Sequence, residues 1–152
     1  APHIPVHLGA LGLFARRLLQ EFSDLSEGDI LISNHPGYGG SHLPDVSLLA
    51  PVFSKNSELI GFVANRAHHA EIGGVVPGSM PGSVGKLVEE GVVIPPSYLF
   101  RKGKSQMSQI THIFQRTMFT LRSYHLEVRN SIQWMTRECK EFNKVSELQE
   151  HC

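Results

Sequence analysis

Cysteine is scarce in this chain: two in 152 residues, Cys139 and Cys152, both in the polar last stretch. They make neither a disulfide framework nor a Cys-x-x-Cys pair, so each is expected to be a reduced thiol without an assigned task. Charge of one sign is not in excess either, with Lys+Arg and Asp+Glu at 14 each. That balance removes the electrostatic footprint of a nucleic-acid or anionic-membrane binder and leaves a small molecule or another protein as the expected partner. No apolar run approaches the roughly 20 residues of a membrane-spanning helix, and no charged-then-apolar leader opens the chain. The expectation is a soluble, cytoplasmic protein. There is no initiating Met: the chain starts Ala1-Pro2-His3-Ile4-Pro5-Val6-His7, extended in character because residues before proline avoid the helical region, and it reads as starting inside a larger fold. Neither G-x-x-x-x-G-K-[ST] nor G-x-G-x-x-G between strand and helix occurs, and Ser41 and Ser79 lack a G-x-S-x-G elbow. Nucleotide binding by this chain and a serine nucleophile are therefore unsupported.

What is present suits one buried core, since 41% of residues are hydrophobic. From Gly9 to Phe22, Leu11, Phe14, Ala15, Leu18, Leu19 and Phe22 recur at three- and four-residue steps, which predicts an amphipathic helix. Ile30–Asn34 reads as a short strand ended by His35-Pro36. Val46–Phe53 and Leu59–Ala67 read as strands joined by the polar turn Ser54–Glu58, forming a hairpin. Val84–Glu90 predicts a brief helical turn, and Gly91–Ile94 a strand stopped by Pro95-Pro96. Tyr98–Phe100 predicts one more strand. Beyond Lys102 the texture is polar, with two weaker helical patterns, Ile110/Ile113/Phe114/Met118 and Ile132/Met135/Cys139/Phe142. The fold class is α+β: a mixed sheet with a β-hairpin and Gly/Pro-rich active-site loops flanked by helices, a fragment of a larger domain. Residues 1–104 are read as its core and 105–152 as a helical polar C-terminal segment.

The chemistry concentrates at His42-Leu43-Pro44-Asp45 and at His68-His69. The outer ends of an antiparallel hairpin meet, so Asp45 and the histidine pair are brought together without long-range assumptions. Two imidazoles and a carboxylate suit Zn²⁺, Mn²⁺ or Fe²⁺; loop histidines bonded to backbone are the alternative. Strand alternation sends His68 to the face of Arg66 and Ala64 and His69 to the opposite one, so only one is an equal ligand. The other suits orientation of substrate. Arg66 suits a carboxylate, or a structural ion pair. Glu71 suits a general base or an outer partner of the site, or a solvated loop carboxylate. The loops Pro36–Gly40 and 73–85 offer backbone N–H groups to an anion, or are structural turns.

Taken in order, His3-Ile4-Pro5-Val6-His7-Leu8-Gly9, Gly28-Asp29, Asn34-His35-Pro36, Gly39-Gly40-Ser41-His42-Leu43-Pro44-Asp45, Asn65-Arg66-Ala67-His68-His69-Ala70-Glu71-Ile72-Gly73-Gly74 and Pro77-Gly78-Ser79-Met80-Pro81 resemble the hydantoinase B/5-oxoprolinase family over about residues 1–100. That family includes the B-type hydantoinase subunit, the C-terminal half of 5-oxoprolinase and the large subunit of acetone carboxylase. The resemblance implies ATP-dependent hydrolysis of a cyclic amide, 5-oxoproline or a hydantoin, or carboxylation of a ketone, and in the oxoprolinase case a tie to glutathione metabolism. It implies that ATP acts through an A-type partner subunit or domain. It maps a divalent metal (Mn, Zn or Fe) onto His42, Asp45 and His68, with His69, Arg66 and Glu71 as catalytic candidates. His35 stands where many members carry Asp and oxoprolinase-like ones carry His, which points to that branch. Members continue for several hundred residues, so the alternative expectation is a truncated, non-catalytic remnant that binds metal or the partner only.

Overall fold

The computed structural model describes residues 5–40, 42–76, 78, 82, 85–117 and 129–141. The chain forms α1 (Pro5–Glu21), β1 (Ile30–Ser33), a 3₁₀ turn (Pro36–Tyr38), β2 (Asp45–Phe53), β3 (Leu59–His68), α2 (Leu87–Glu90), β4 (Ser97–Arg101), β5 (Lys104–Ser105) and α3 (Met107–Thr117), followed by helical residues 129–141. The five strands make one sheet in the order β3-β2-β1-β4-β5. Each pairing is antiparallel, where the sequence suggested a mixed sheet. The difference arises at β4, which returns after a long irregular excursion and meets β1 head to tail.

The sheet is covered on both faces. On one, Phe14 and Leu18 of α1 pack on Leu31 and Leu49; on the other, Ile30, Ile32, Val46, Leu48, Ala50 and Leu99 share a cluster with Ile72, Val92, Ile94, Ile110, Phe114, Ile132, Met135 and Cys139. Burial on both sides explains why β1 and most of β2 read as nearly continuous apolar runs rather than as alternating ones. Edge strand β3 is partly exposed along nearly all of its length, with Arg66 buried. Cys139 is a buried free thiol whose pKa burial pushes up to about 11, consistent with a core residue without reactivity. Among the described residues no helix is long and apolar enough to cross a membrane.

Three local expectations are corrected. The N-terminal helix begins at Pro5, not Gly9, so Pro5–His7 is helical rather than extended. Proline suits a first helical position because the N–H it lacks has no intrahelical partner there. Gly91–Ile94 is not a strand. Its backbone is held instead by Asn34, which donates through Nδ2 to Val92 O and Leu43 O, both at 2.8 Å, and accepts from Ile94 N at 2.7 Å. One buried amide thus replaces a ladder and ties together the end of β1, the approach to β2 and the approach to β4. Finally, β5 was not anticipated: Lys102 and Gly103 both have positive φ (48° and 75°), making a two-residue hairpin loop between Arg101 and Lys104. Asp29 helps hold the loop by accepting from Lys102 N at 2.6 Å. Met118 and Phe142 lie outside the described residues.

Replacing Asn34 by Ala strands one donor and two acceptors in the core. At roughly 1–3 kcal/mol for each buried group left without a partner, partly relieved by relaxation, the loss expected in urea unfolding is about 3–5 kcal/mol. Asn34→Asp is expected to fare no better at neutral pH, because a carboxylate has no donor for the two carbonyls. A loss below about 1 kcal/mol in both would remove Asn34 as the staple of this corner.

Candidate metal centre

The hairpin delivers the site. In its register Asp45 pairs with His68, Ser47 with Arg66 and Leu49 with Ala64. Alternation puts these six side chains on one face of the sheet. Leu49 and Ala64 lie in the apolar cluster beneath α1. Further along the same face the chemistry turns polar. His42 is folded back over Asp45 by a tight turn in which Asp45 N donates to His42 O at 3.0 Å. Leu43, fully buried, pins that turn. The carbonyl of Pro44 accepts from His69 N at 2.9 Å, closing the mouth of the hairpin.

Asp45 lies at the base, fully buried, with Oδ1 3.0 Å from His68 Nδ1 and Oδ2 3.0 Å from His42 Nδ1. The imidazole side chains, 35% and 50% exposed, stand toward solvent with their centroids 4.9 Å apart. One ligand atom from each of the three residues falls within 4.8 Å of the others. Ligands about 2.0–2.2 Å from one ion sit roughly 3–4 Å from each other, so small rotamer adjustments suffice for a single ion. A carboxylate between two imidazoles, open on one side, is a donor set that Mn²⁺, Zn²⁺ and Fe²⁺ accept.

The other candidates surround this group without joining it. His69, 8% exposed, leaves Nε2 without a hydrogen-bond partner. Burial pushes its pKa below the usual imidazole range, His68 adds to that, and Asp45 opposes it, so the ring is neutral near pH 7. Arg66 donates from Nε to Ser47 Oγ at 2.7 Å and from Nη2 to Gly39 O at 3.0 Å. Its Nη1 is buried without a partner. Burial lowers the guanidinium pKa from a very high starting value, against the pull of Asp45, and leaves it charged. Glu71 turns into its own loop: Oε1 accepts from the N–H groups of Ile72, Gly73 and Gly74 and Oε2 from Gly78 N at 2.8 Å.

Several of the described N–H groups in both glycine-rich loops are taken by the protein's own acceptors. In the first, His35 Nδ1 accepts from Gly37 N at 3.0 Å and Gly39 N donates to Pro36 O at 3.1 Å. Gly39 has φ +89°, and a Cβ there would sit 2.8 Å from Phe14 N, so glycine alone lets this loop lie against α1 while its carbonyl takes Arg66. Ser47, which orients Arg66, was not singled out from sequence, and Gly39 was read as an N–H donor of its loop whereas it is its carbonyl that takes Arg66. Ser47 had a readable signal, a lone hydroxyl inside an apolar strand at the position paired with Arg66. Ser41, Ser79, His3, His125 and His151 lie outside the described residues, while His112 is exposed on α3.

A family model described as Hydantoinase B/oxoprolinase matches residues 1–145. The chain is similar to 5-oxoprolinase 1 of Arabidopsis thaliana, 47% identical over 116 residues, which is 76% of this chain and 9% of that protein. It thus spans about a tenth of the length of such relatives. Its fold matches the crystal structure of an ATP-dependent caprolactamase from Pseudomonas jessenii with a TM-score of 0.76 and 29% identity, covering 97% of this chain and 25% of that one. A nucleotide-free acetone carboxylase structure matches at TM-score 0.73 and 25% identity, covering 93% and 18%.

The Glu71 nest makes a local prediction. Glu71→Ala is expected to speed hydrogen exchange at the amides of Ile72, Gly73, Gly74 and Gly78 by about tenfold or more, equivalent to about 1.4 kcal/mol of local stability. Unchanged exchange by NMR would show that the loop holds itself without the carboxylate.

Proposed function

The chain belongs to the hydantoinase B/oxoprolinase family, and on that premise we propose that it is the metal-holding portion of an ATP-dependent enzyme that opens a cyclic amide. The observation that carries this reading is the convergence of His42, Asp45 and His68 at one end of the β2–β3 hairpin. A bound divalent ion would supply Lewis-acid polarisation of an amide carbonyl or of a phosphorylated intermediate. Asp45, buried at the base, and the imidazoles of His42 and His68 would hold that ion, the carboxylate supplying its charge.

The remaining residues act around that centre. His69 is adjacent in the chain, neutral near pH 7, and its Nε2 is free to hydrogen-bond a substrate amide. Arg66 positions the substrate. Glu71, with four N–H groups on its carboxylate, serves by holding the loop that follows His69. ATP enters through an A-type partner subunit or domain, in keeping with the lack of a phosphate loop here and with the ATP dependence in the caprolactamase's name. Ketone carboxylation is the neighbouring chemistry, represented by acetone carboxylase. The second reading is the non-catalytic remnant, which binds metal or the partner without turnover.

Elemental analysis of the purified chain is expected to find close to one Mn, Zn or Fe per chain, reduced at least tenfold in the His42→Ala, Asp45→Ala double variant. An equal metal content in both, or none in either, would remove the site. ATP-dependent release of the ring-opened acid from 5-oxoproline, measured with and without an A-type partner, then separates the two readings: turnover with the partner establishes the enzyme, and none in either condition leaves the remnant.

A further inference from the structure

Arg66 is a buried cation without an ionic partner among the described residues. The residue is 9% exposed, and its two protein partners, the Ser47 hydroxyl and the Gly39 carbonyl, are neutral. Among the described residues no carboxylate lies within ion-pair distance of it. Asp45 is close enough to act on it through space, but both Asp45 oxygens face the histidines at 3.0 Å. Glu71 is occupied by its own loop. A guanidinium carries five N–H donors in a planar fork. The protein takes one on Nε and one on Nη2, and Nη1, wholly buried, has none of its donors used. The Nη1 end of the fork is therefore a buried donor pair without an acceptor among the described residues, and its direction is fixed by the two bonds already made. A desolvated charge with fixed, unused donors is disfavoured until an anion meets it.

A planar two-oxygen anion matches that end of the fork. Building on the ring-opening reading above, we propose that Arg66 recognises a carboxylate on the substrate, so that the site selects a lactam bearing a carboxylate over a neutral lactam. The charge balance agrees. With Asp45 committed to the two imidazoles, and more so to an ion held between them, the surroundings of Arg66 lack negative charge. A substrate carboxylate supplies it. Ser47 and Gly39 are positioning residues in this scheme, because they aim the guanidinium without touching substrate.

Isothermal titration of the full chain with 5-oxoproline and with 2-pyrrolidinone, the same ring without the carboxylate, tests the proposal in the presence and absence of added Mn²⁺. The expected result is binding of 5-oxoproline at least tenfold tighter than 2-pyrrolidinone, with inorganic phosphate failing to displace it. Equal affinities, no binding of 5-oxoproline in either condition, or displacement by phosphate at comparable concentration would each overturn it. Arg66→Gln is expected to erase the preference and Arg66→Lys to keep part of it; an undiminished preference in a folded Arg66→Gln protein would also overturn it. Because the wild-type titrations carry the decision, a variant that fails to fold does not obscure the outcome. Elemental analysis of the same sample keeps the two proposals apart: a chain without metal that still prefers the carboxylate loses the metal reading alone, and a metal-loaded chain without the preference loses this one alone.

Discussion

The register between β2 and β3 is the constraint on which the candidate site depends. Because side chains alternate along a strand, a slip of β2 by one residue would turn Asp45 and Ser47 to the opposite face and separate them from Arg66 and His68 on β3. The slip is blocked by burial on both sides of the sheet. Val46, Leu48 and Ala50 fill one cluster and Leu49 the other, so shifting the strand would exchange two well-packed sets for two poorly packed ones. The hydrophobic pattern that stabilises the hairpin is thus the same feature that sets the geometry of the polar end.

Polar groups at that end are held in a hierarchy. Asn34 uses three hydrogen bonds to tie β1 to the segments leading into β2 and β4. Gly39 bridges α1 and Arg66, so the helix packed on the sheet also steadies the guanidinium. Glu71 organises the loop after His69. These are fully used groups, and they define the shape. Arg66 Nη1, His69 Nε2 and His42 Nδ1 are among the buried polar atoms at this end without a hydrogen-bond partner, the last in close contact with Asp45 at 3.0 Å. Buried unsatisfied donors are uncommon in native proteins and concentrate where a ligand completes them.

Much of the architecture was legible because local pattern and tertiary outcome agreed. The hairpin, its polar turn, β1, β4 and the body of α1 followed from periodicity and turn residues. Failures came where a side chain or a proline outweighed the pattern. Gly91–Ile94 has the composition of a strand, yet Asn34 meets its backbone, and no rule based on the segment's own residues could reveal that partner, about sixty positions away. At the N-terminus, proline was read as an extended signal although its first-turn preference prevails at Pro5. Glu71 carried two readings from its position alone; the donors that surround its carboxylate belong to the loop that follows and arise from a turn whose shape was not readable in advance.

By itself the sequence determined the family, the hairpin and the residues that converge at its mouth, because ligand types, glycine and proline spacing and strand alternation are all local properties. Tertiary structure alone decided which loop closes on Arg66, how the Glu71 carboxylate is used and which donors remain unused. Those outcomes depend on the packing of α1 against Gly39 and on bonds that Asn34 makes across distant segments, and long-range contacts of that kind have no signature in the order of neighbouring residues.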